Sequence, residues 1–250
     1  MRHLVAAARL ARASLHVLHG LWIMRRFPHL NAAERQAHIG RWSAALLRHV
    51  GLSLHVSGTP RPGATLVVAN HVSFIDIAAI HAAAPQVRFV SKADVLSWPV
   101  LGALIRNAGT LFIERERKRD ALRVVHSIAA ALEAGDTIGV FPEGTTGLGR
   151  ELLPFHANLL QAAIATGTPV QPVLLRYDDA DGPFSAVPTW LGETTLLQAI
   201  WRVASAPRLA VHVSLLSPQG TRHADRRALA AALQQQMQDE LLRAVAQEKV

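Results

Sequence analysis

The sequence predicts an α/β protein: a mostly parallel central sheet with helices on both faces, preceded by an N-terminal amphipathic helix pair. Three observations lead there. Continuous apolar, β-branched runs such as TLVVA (65–69) and TIGVF (137–141) read as strands buried on both faces. Helix-period stretches separate most of those runs, the alternation that builds parallel sheets. Residues 1–51 carry helical periodicity and no strand signal, and so stand apart from an α/β domain over 52–250.

In chain order, the first helix covers "MRHLVAAARLARASLHVLHGLWIMRR". Arg9, Arg12, His16 and His19 are spaced 3, 4 and 3 apart, and Arg2 and Arg26 extend that narrow polar face. Leu4, Val5, Leu10, Leu15, Val17, Leu18, Leu21, Trp22 and Ile23 fill the rest. A basic stripe under a wide apolar face predicts an interfacial helix with its arginines at lipid headgroups. The competing reading packs it on the protein's own core. A secretory signal is not expected, because Arg9 and Arg12 interrupt the apolar run and no small-residue cleavage site follows. The second helix is predicted over 32–50: Asn31 caps it, Glu34 occupies the capping-box position, Ile39, Trp42, Leu46 and Val50 form its stripe, and Gly51 ends it.

Strands are then predicted at 52–56, 65–69, 87–90, 110–113, 137–141, 170–175 and 208–216. Helices are predicted at about 74–84, 99–107, 118–134, 155–166 and 194–204, with a last one from about 223. The stretch 178–193 reads as loop.

Composition narrows the function classes. Half the residues are hydrophobic and mean hydropathy is +0.19, yet no run approaches the roughly 18 apolar residues needed to span a bilayer. A formal charge of +8 with 13 further histidines favours anionic partners. Nucleic acid is not expected, since aromatics are 5% of the chain and no arginine-rich tract is interleaved with them. The absence of cysteine excludes disulfides, zinc thiolates and a thiol nucleophile, and fits a reducing compartment. Together these features describe a protein that lies on a membrane or meets an apolar substrate.

Chemistry gathers at strand ends, where open α/β sheets bind ligands. In "VVANHVSFID", an imidazole and a carboxylate follow a buried strand. On a regular helix residues five apart diverge by roughly 140°, so His71 and Asp76 meet only if His71 precedes the helix and Asp76 lies in its first turn. The alternative is local capping, because Ser73 and Asp76 have capping-box spacing. After the 110–113 strand, "IERER" places Arg115 as an anion clamp suited to bidentate phosphate binding. A solvated charged turn explains 116–119 well and Arg115 less well. The loop "FPEGTTGLGR" can aim backbone N–H groups at an anion or a developing oxyanion, or it is a simple glycine turn.

Taken in order, these segments resemble the bacterial 1-acylglycerol-3-phosphate O-acyltransferase (lysophospholipid acyltransferase) family. Its four blocks are matched by Asn70-His71-x4-Asp76, by Gly109-Thr-Leu-Phe112-Ile113-Glu114-Arg115, by Phe141-Pro142-Glu143-Gly144-Thr145 and by Val170-x-Pro172-Val173, across roughly residues 65 to 175. The resemblance implies that His71 is a general base taking the proton from the free hydroxyl of lysophosphatidate. Asp76 then orients the imidazole, and the alkoxide attacks the thioester of acyl-CoA or acyl carrier protein, giving phosphatidate. It further implies that Arg115 binds the substrate phosphate and that Glu143, Gly144 and Thr145 organise the acceptor loop. Lys92 adds an anion contact, with Asn70 and Ser73 in support. No metal and no cofactor is expected beyond the thioester co-substrate. The expected location is the cytoplasmic face of the bacterial inner membrane, peripheral or monotopic, in phospholipid biosynthesis.

Two departures bear on the substrate. Thr146 stands where the family's third block commonly has Arg, so one headgroup contact is absent or comes from elsewhere, Arg150 being one source. Glu114 replaces the more usual Asp of the second block. The tail "TTGLGRELLPFHANLL" resembles members acting on other lyso-lipids, including lyso-ornithine lipid. From a different class, a non-catalytic basic lipid-binding protein would satisfy the charge and first helix but leaves His71, Asp76 and the 143–145 loop unexplained. A lipid hydrolase lacks a Gly-x-Ser-x-Gly elbow or cysteine, though His71 offers a way to activate water.

Overall fold

The computed structural model describes residues 2–92, 96–97, 101–107, 109–113 and 118–247. Among them, α1 (Arg2–Met24) and α2 (Ala32–Val50) precede β1 (Leu52–Ser57), β2 (Thr65–Ala69), α3 (Asp76–Ala83), β3 (Val87–Lys92), α4 (Leu101–Asn107) and β4 (Leu111–Ile113). Then come α5 (Lys118–Glu133), β5 (Thr137–Val140), α6 (Gln161–Thr166), β6 (Val170–Asp179), α7 (Leu196–Ser205), β7 (Leu209–Leu215) and α8 (Arg226–Gln247).

The described strands form one seven-stranded sheet in the order β1-β7-β6-β2-β5-β3-β4. Neighbours are parallel throughout except β6 and β7, whose antiparallel register runs from Val173 opposite Leu215 to Asp179 opposite Leu209. The predicted fold class is therefore the observed one. Its reason is visible in β2, where all five residues are buried because helices cover both faces. One core layer joins Leu47 and Val50 of α2, Ile80 of α3 and Val203 of α7 to that sheet. The other joins Val124, Ile128 and Leu132 of α5 with Leu229 and Leu233 of α8. Because β2, β5, β3, β4 and β6 run the same way, their carboxyl ends share one edge of the sheet.

Boundaries moved where side chains met local partners. α3 begins at Asp76, since residues 70–75 are held by the contacts described below. The predicted helix at 155–166 is a 3-10 turn (Ala157–Leu160) followed by α6. α8 starts at Arg226, where the Asp225 carboxylate accepts the N–H groups of Arg227 and Ala228. α2 matches its predicted caps: Asn31 and Glu34 form a reciprocal capping box and Gly51 closes the helix at φ +90°. Its inward line, however, is Ser43, Leu47 and Val50, rotated from the predicted stripe.

The largest correction concerns α1. Its buried residues are Ala6, Ala13 and Gly20, spaced seven apart, with Arg9 and His16 beside them. Arg9 donates to the carbonyls of Ala204 and Ala206, and Arg2 to that of Ser205, all at the end of α7. His16 meets the Trp42 carbonyl, and the Trp42 indole donates to the His16 carbonyl. A Cβ on Gly20 would lie 2.5 Å from that indole nitrogen, so only glycine lets α1 approach α2 there. Part of the predicted headgroup stripe thus points into the protein. Leu4, Val5, Leu15, Leu18 and Trp22 remain exposed instead. No described helix is long and apolar enough to cross a membrane.

Candidate active site

β2 delivers the chain to the sheet edge, and Asn70 fixes its exit. The buried Asn70 side chain donates to the Leu175 carbonyl at 2.9 Å and accepts the Leu175 N–H at 2.7 Å. It thereby continues the β2–β6 pairing one step past Ala69 with side-chain atoms in place of backbone. The next residues curl around a carboxylate. Asp76, fully buried, accepts the His71 Nδ1–H at 2.7 Å and the backbone N–H groups of Val72 and Ser73 at 2.7 and 2.9 Å on one oxygen. His71 precedes α3 and Asp76 opens it, as the five-residue spacing required. The same carboxylate oxygen orients the imidazole and holds the backbone leading into α3, while the helix itself starts without a side-chain cap.

The second Asp76 oxygen accepts the hydroxyl of Tyr177 at 2.6 Å. Tyr177 is buried on β6, and burial beside Asp76 pushes its phenol pKa well above 10, so it stays a donor. Four donors therefore surround a buried carboxylate and leave the imidazole one orientation. With Nδ1 carrying the proton toward Asp76, Nε2 carries the lone pair. It has no hydrogen-bond partner among the described residues. The ring stacks on Phe141 at 4.1 Å between centroids, and Phe141 stacks on Phe89 at 5.4 Å. A Cβ on Gly139 would come within 2.8 Å of the Phe89 ring, so glycine opens the sheet face for this aromatic pair. His71 borders a cavity of about 130 Å³ lined also by Val90, Val140, Phe141, Gly144 and Leu159.

The loop after β5 joins from the other side. Glu143 is buried, and its two oxygens accept the N–H groups of His71 and Leu153, each at 2.9 Å. Burial raises its pKa to about 7, against the lowering effect of those two amides. Gly144, at φ +70°, makes the turn, and Gly144 and Thr145 are exposed at the loop surface. The Gly147 N–H donates to the His71 carbonyl at 2.7 Å. Thr146, at the variant position, donates to the carbonyl of Trp190, whose own N–H donates to the Val72 carbonyl at 3.3 Å. Ser73 is buried, its N–H on Asp76 and its hydroxyl accepting the Ile75 N–H at 3.4 Å.

The structure thus brings Asn70, His71, Ser73, Asp76, Glu143 and Gly144 to one place. Lys92 ends β3 on the same edge of the sheet, its backbone paired with Ile113. Arg115 and Glu114 lie outside the described residues. Sequence reasoning passed over Tyr177, Phe141 as a ring platform, and Trp190. The one available signal for the first was that Tyr177 is the chain's single tyrosine, two residues beyond Leu175 on the same strand face.

A histidine held by a buried carboxylate at the carboxyl edge of the sheet, its other ring nitrogen without a partner among the described residues, has the geometry to accept a proton from a bound hydroxyl. Residues 53–176 match the Acyltransferase family. The chain is 38% identical over 178 residues to the 1-acyl-sn-glycerol-3-phosphate acyltransferase of Neisseria meningitidis, covering 71% of this chain and 69% of that one. It is 36% identical over 239 residues to the lyso-ornithine lipid O-acyltransferase of Pseudomonas aeruginosa, covering 94% and 92%. The fold superposes on the crystal structure of the 1-acyl-sn-glycerophosphate acyltransferase from Thermotoga maritima with a TM-score of 0.75 over 98% of each chain, at 19% identity. The protein belongs to the acyltransferase family of these relatives and is an acyltransferase.

Proposed function

We propose that this acyltransferase moves a fatty acyl group from acyl-CoA or acyl carrier protein to the free hydroxyl of lysophosphatidate, giving phosphatidate. The His71 Nε2 accepts the hydroxyl proton as the oxygen attacks the thioester carbonyl. Asp76 holds the imidazole and balances the cation that forms. The tetrahedral adduct collapses with cleavage of the carbon–sulfur bond, and the imidazolium returns its proton to the departing thiolate. One oxygen ester forms, one thioester breaks, and His71 ends neutral. The acceptor alcohol takes the place a serine holds in a hydrolase triad, so no covalent acyl-enzyme is needed. Arg115 and Lys92 are assigned to the acceptor phosphate, and Glu143, Gly144 and Thr145 to the loop that receives it. No metal enters this chemistry.

The observation that carries the reading is the His71–Asp76 contact with Nε2 left open beside a cavity. One specific observation favours a second acceptor, lyso-ornithine lipid. The match to the Pseudomonas enzyme extends over nearly the whole of both chains. Thr146, where an arginine would meet a headgroup, is engaged with Trp190. Purified enzyme assayed with lysophosphatidate and lyso-ornithine lipid, each with acyl-CoA and with acyl carrier protein, decides between them. Turnover of lysophosphatidate at the higher kcat/KM supports the first reading; preference for lyso-ornithine lipid replaces it. Turnover of neither would contradict both readings and point to a different lyso-lipid acceptor.

The enzyme is placed peripherally on the cytoplasmic face of the inner membrane through α1. An exposed row of Leu4, Leu15, Leu18 and Trp22 on a helix with no acid before Glu34 suits an acyl–headgroup boundary.

A further inference from the structure

The exposed apolar row on α1 does not end with α1. α7 begins with a capping box on Thr195 and buries Ala199, Val203 and Ala204. Its other face leaves Leu197 78% and Trp201 41% exposed, one helical turn apart. The two helices are fastened: Arg2 and Arg9 donate to the carbonyls of Ser205, Ala204 and Ala206, satisfying the open C-terminal end of α7. The Trp201 ring stacks on His3 at 6.0 Å. Leu197 and Trp201 therefore adjoin the Leu4 end of the α1 row, and Leu4 is 76% exposed. α2, by contrast, shows no large exposed apolar side chain among the described residues.

Charge says what covers this surface. No acid occurs before Glu34, and between Asp181 and Asp225 the only one is Glu193. Arg12, Arg202 and Arg208 are exposed on the same segments, and the Arg26 guanidinium lies over the Trp22 ring at 4.6 Å. Leucines with tryptophans at their edge and arginines around them fit an anionic bilayer: apolar side chains among acyl chains, indoles at headgroup depth, guanidinium on phosphate.

We propose that α7 is a second membrane-contacting helix, inserting Leu197 and Trp201 beside α1 into the surface of an anionic bilayer. This rests on the reading of α1 given above and adds to it an element from the far end of the chain. It also ties the bilayer to the chemistry. Trp190, which holds the Val72 carbonyl next to His71, donates its indole N–H to the Thr194 carbonyl at 2.7 Å, directly before α7. Seating α7 in the leaflet sets that loop at the membrane surface, where a lyso-lipid resides.

The test is flotation of the full chain with vesicles of phosphatidylethanolamine and phosphatidylglycerol, comparing wild type, Leu197→Asp and Leu15→Asp, with thermal melts as the folding control. A charge placed on either helix should lower the partition coefficient about tenfold without moving the melt. The Leu197→Asp enzyme should keep full turnover on a short-chain, monomeric lyso-lipid. Brominated acyl chains should quench wild-type fluorescence more than that of Trp201→Phe. If Leu15→Asp detaches while Leu197→Asp binds as wild type, the α7 proposal fails and the α1 reading stands. If neither detaches, both fail. Dimerisation in vesicle-free buffer that Leu197→Asp abolishes, with vesicle binding unchanged, would assign the face to a second copy and overturn the proposal.

Discussion

Among the described residues two histidine–aspartate pairs lie at this sheet, and they are built differently. His71 and Asp76 meet at 2.7 Å, and His212 and Asp178 at 3.0 Å. The first carboxylate has donors on both oxygens; the second has one oxygen, Oδ1, with no partner among the described residues. The first imidazole presents its free nitrogen beside a cavity at the carboxyl ends of parallel strands. The second commits its Nε2 to Asp178 across β6 and β7, with His55 stacked on it at 4.8 Å, and burial holds its pKa below the usual value. An imidazole–carboxylate contact is therefore weak evidence by itself. The two pairs differ in how completely the acid is held and in what the far nitrogen faces, and the proposed catalytic role rests on that difference.

The sharpest way to break that contrast is Asp76→Asn. The amide keeps the volume but can no longer accept from four donors, and it frees the wrong imidazole tautomer. kcat should fall on the order of 10³- to 10⁴-fold in a steady-state assay, with KM little changed. The loop that steadies the pair is tested by pH. The folded Glu143 pKa, about 7, lies above its ordinary 4.5. The native state thus holds a proton the unfolded chain has lost, and its stability declines as pH rises from about 4.5 through 7. Measured by denaturant unfolding, Glu143→Gln should lack that decline, which is worth on the order of 3 kcal/mol across the interval. Equal slopes for the two proteins would contradict the assignment.

Tyr177→Phe leaves one Asp76 oxygen without its donor. A loss of about tenfold in kcat with KM unchanged, and roughly 1–2 kcal/mol of stability, is expected. A rise in KM alone would make the tyrosine part of substrate binding. The smallest effect belongs to the other pair: His212→Ala should leave turnover within about twofold of wild type. A larger loss would erase the distinction between the pairs.

Much of this arrangement was legible because it is local. The strands declared themselves by continuous apolar runs, Asn31 and Glu34 by capping-box spacing, and the His71–Asp76 contact by a helix start falling between the two. Other parts depend on contacts distant in sequence. Tyr177 reaches Asp76 across 101 residues, and nothing near either residue signals the partner. For α1, periodicity gives a stripe without saying which side faces the protein. The carbonyls at the end of α7, more than 190 residues away, drew Arg9 inward. Trp190 lies in a stretch without pattern because its bonds to Val72 and Thr146 are made by its backbone, and its indole partner, the Thr194 carbonyl, is a backbone group no motif marks.

The central claim is that the His71 Nε2 takes the proton from the acceptor hydroxyl, and His71→Ala tests it most directly. Initial rates of ester formation from acyl thioester and lyso-lipid should drop at least about 10³-fold, while the melting temperature and vesicle binding match wild type. A folded, membrane-bound His71→Ala enzyme working within about tenfold of the wild-type rate would show that another group removes that proton.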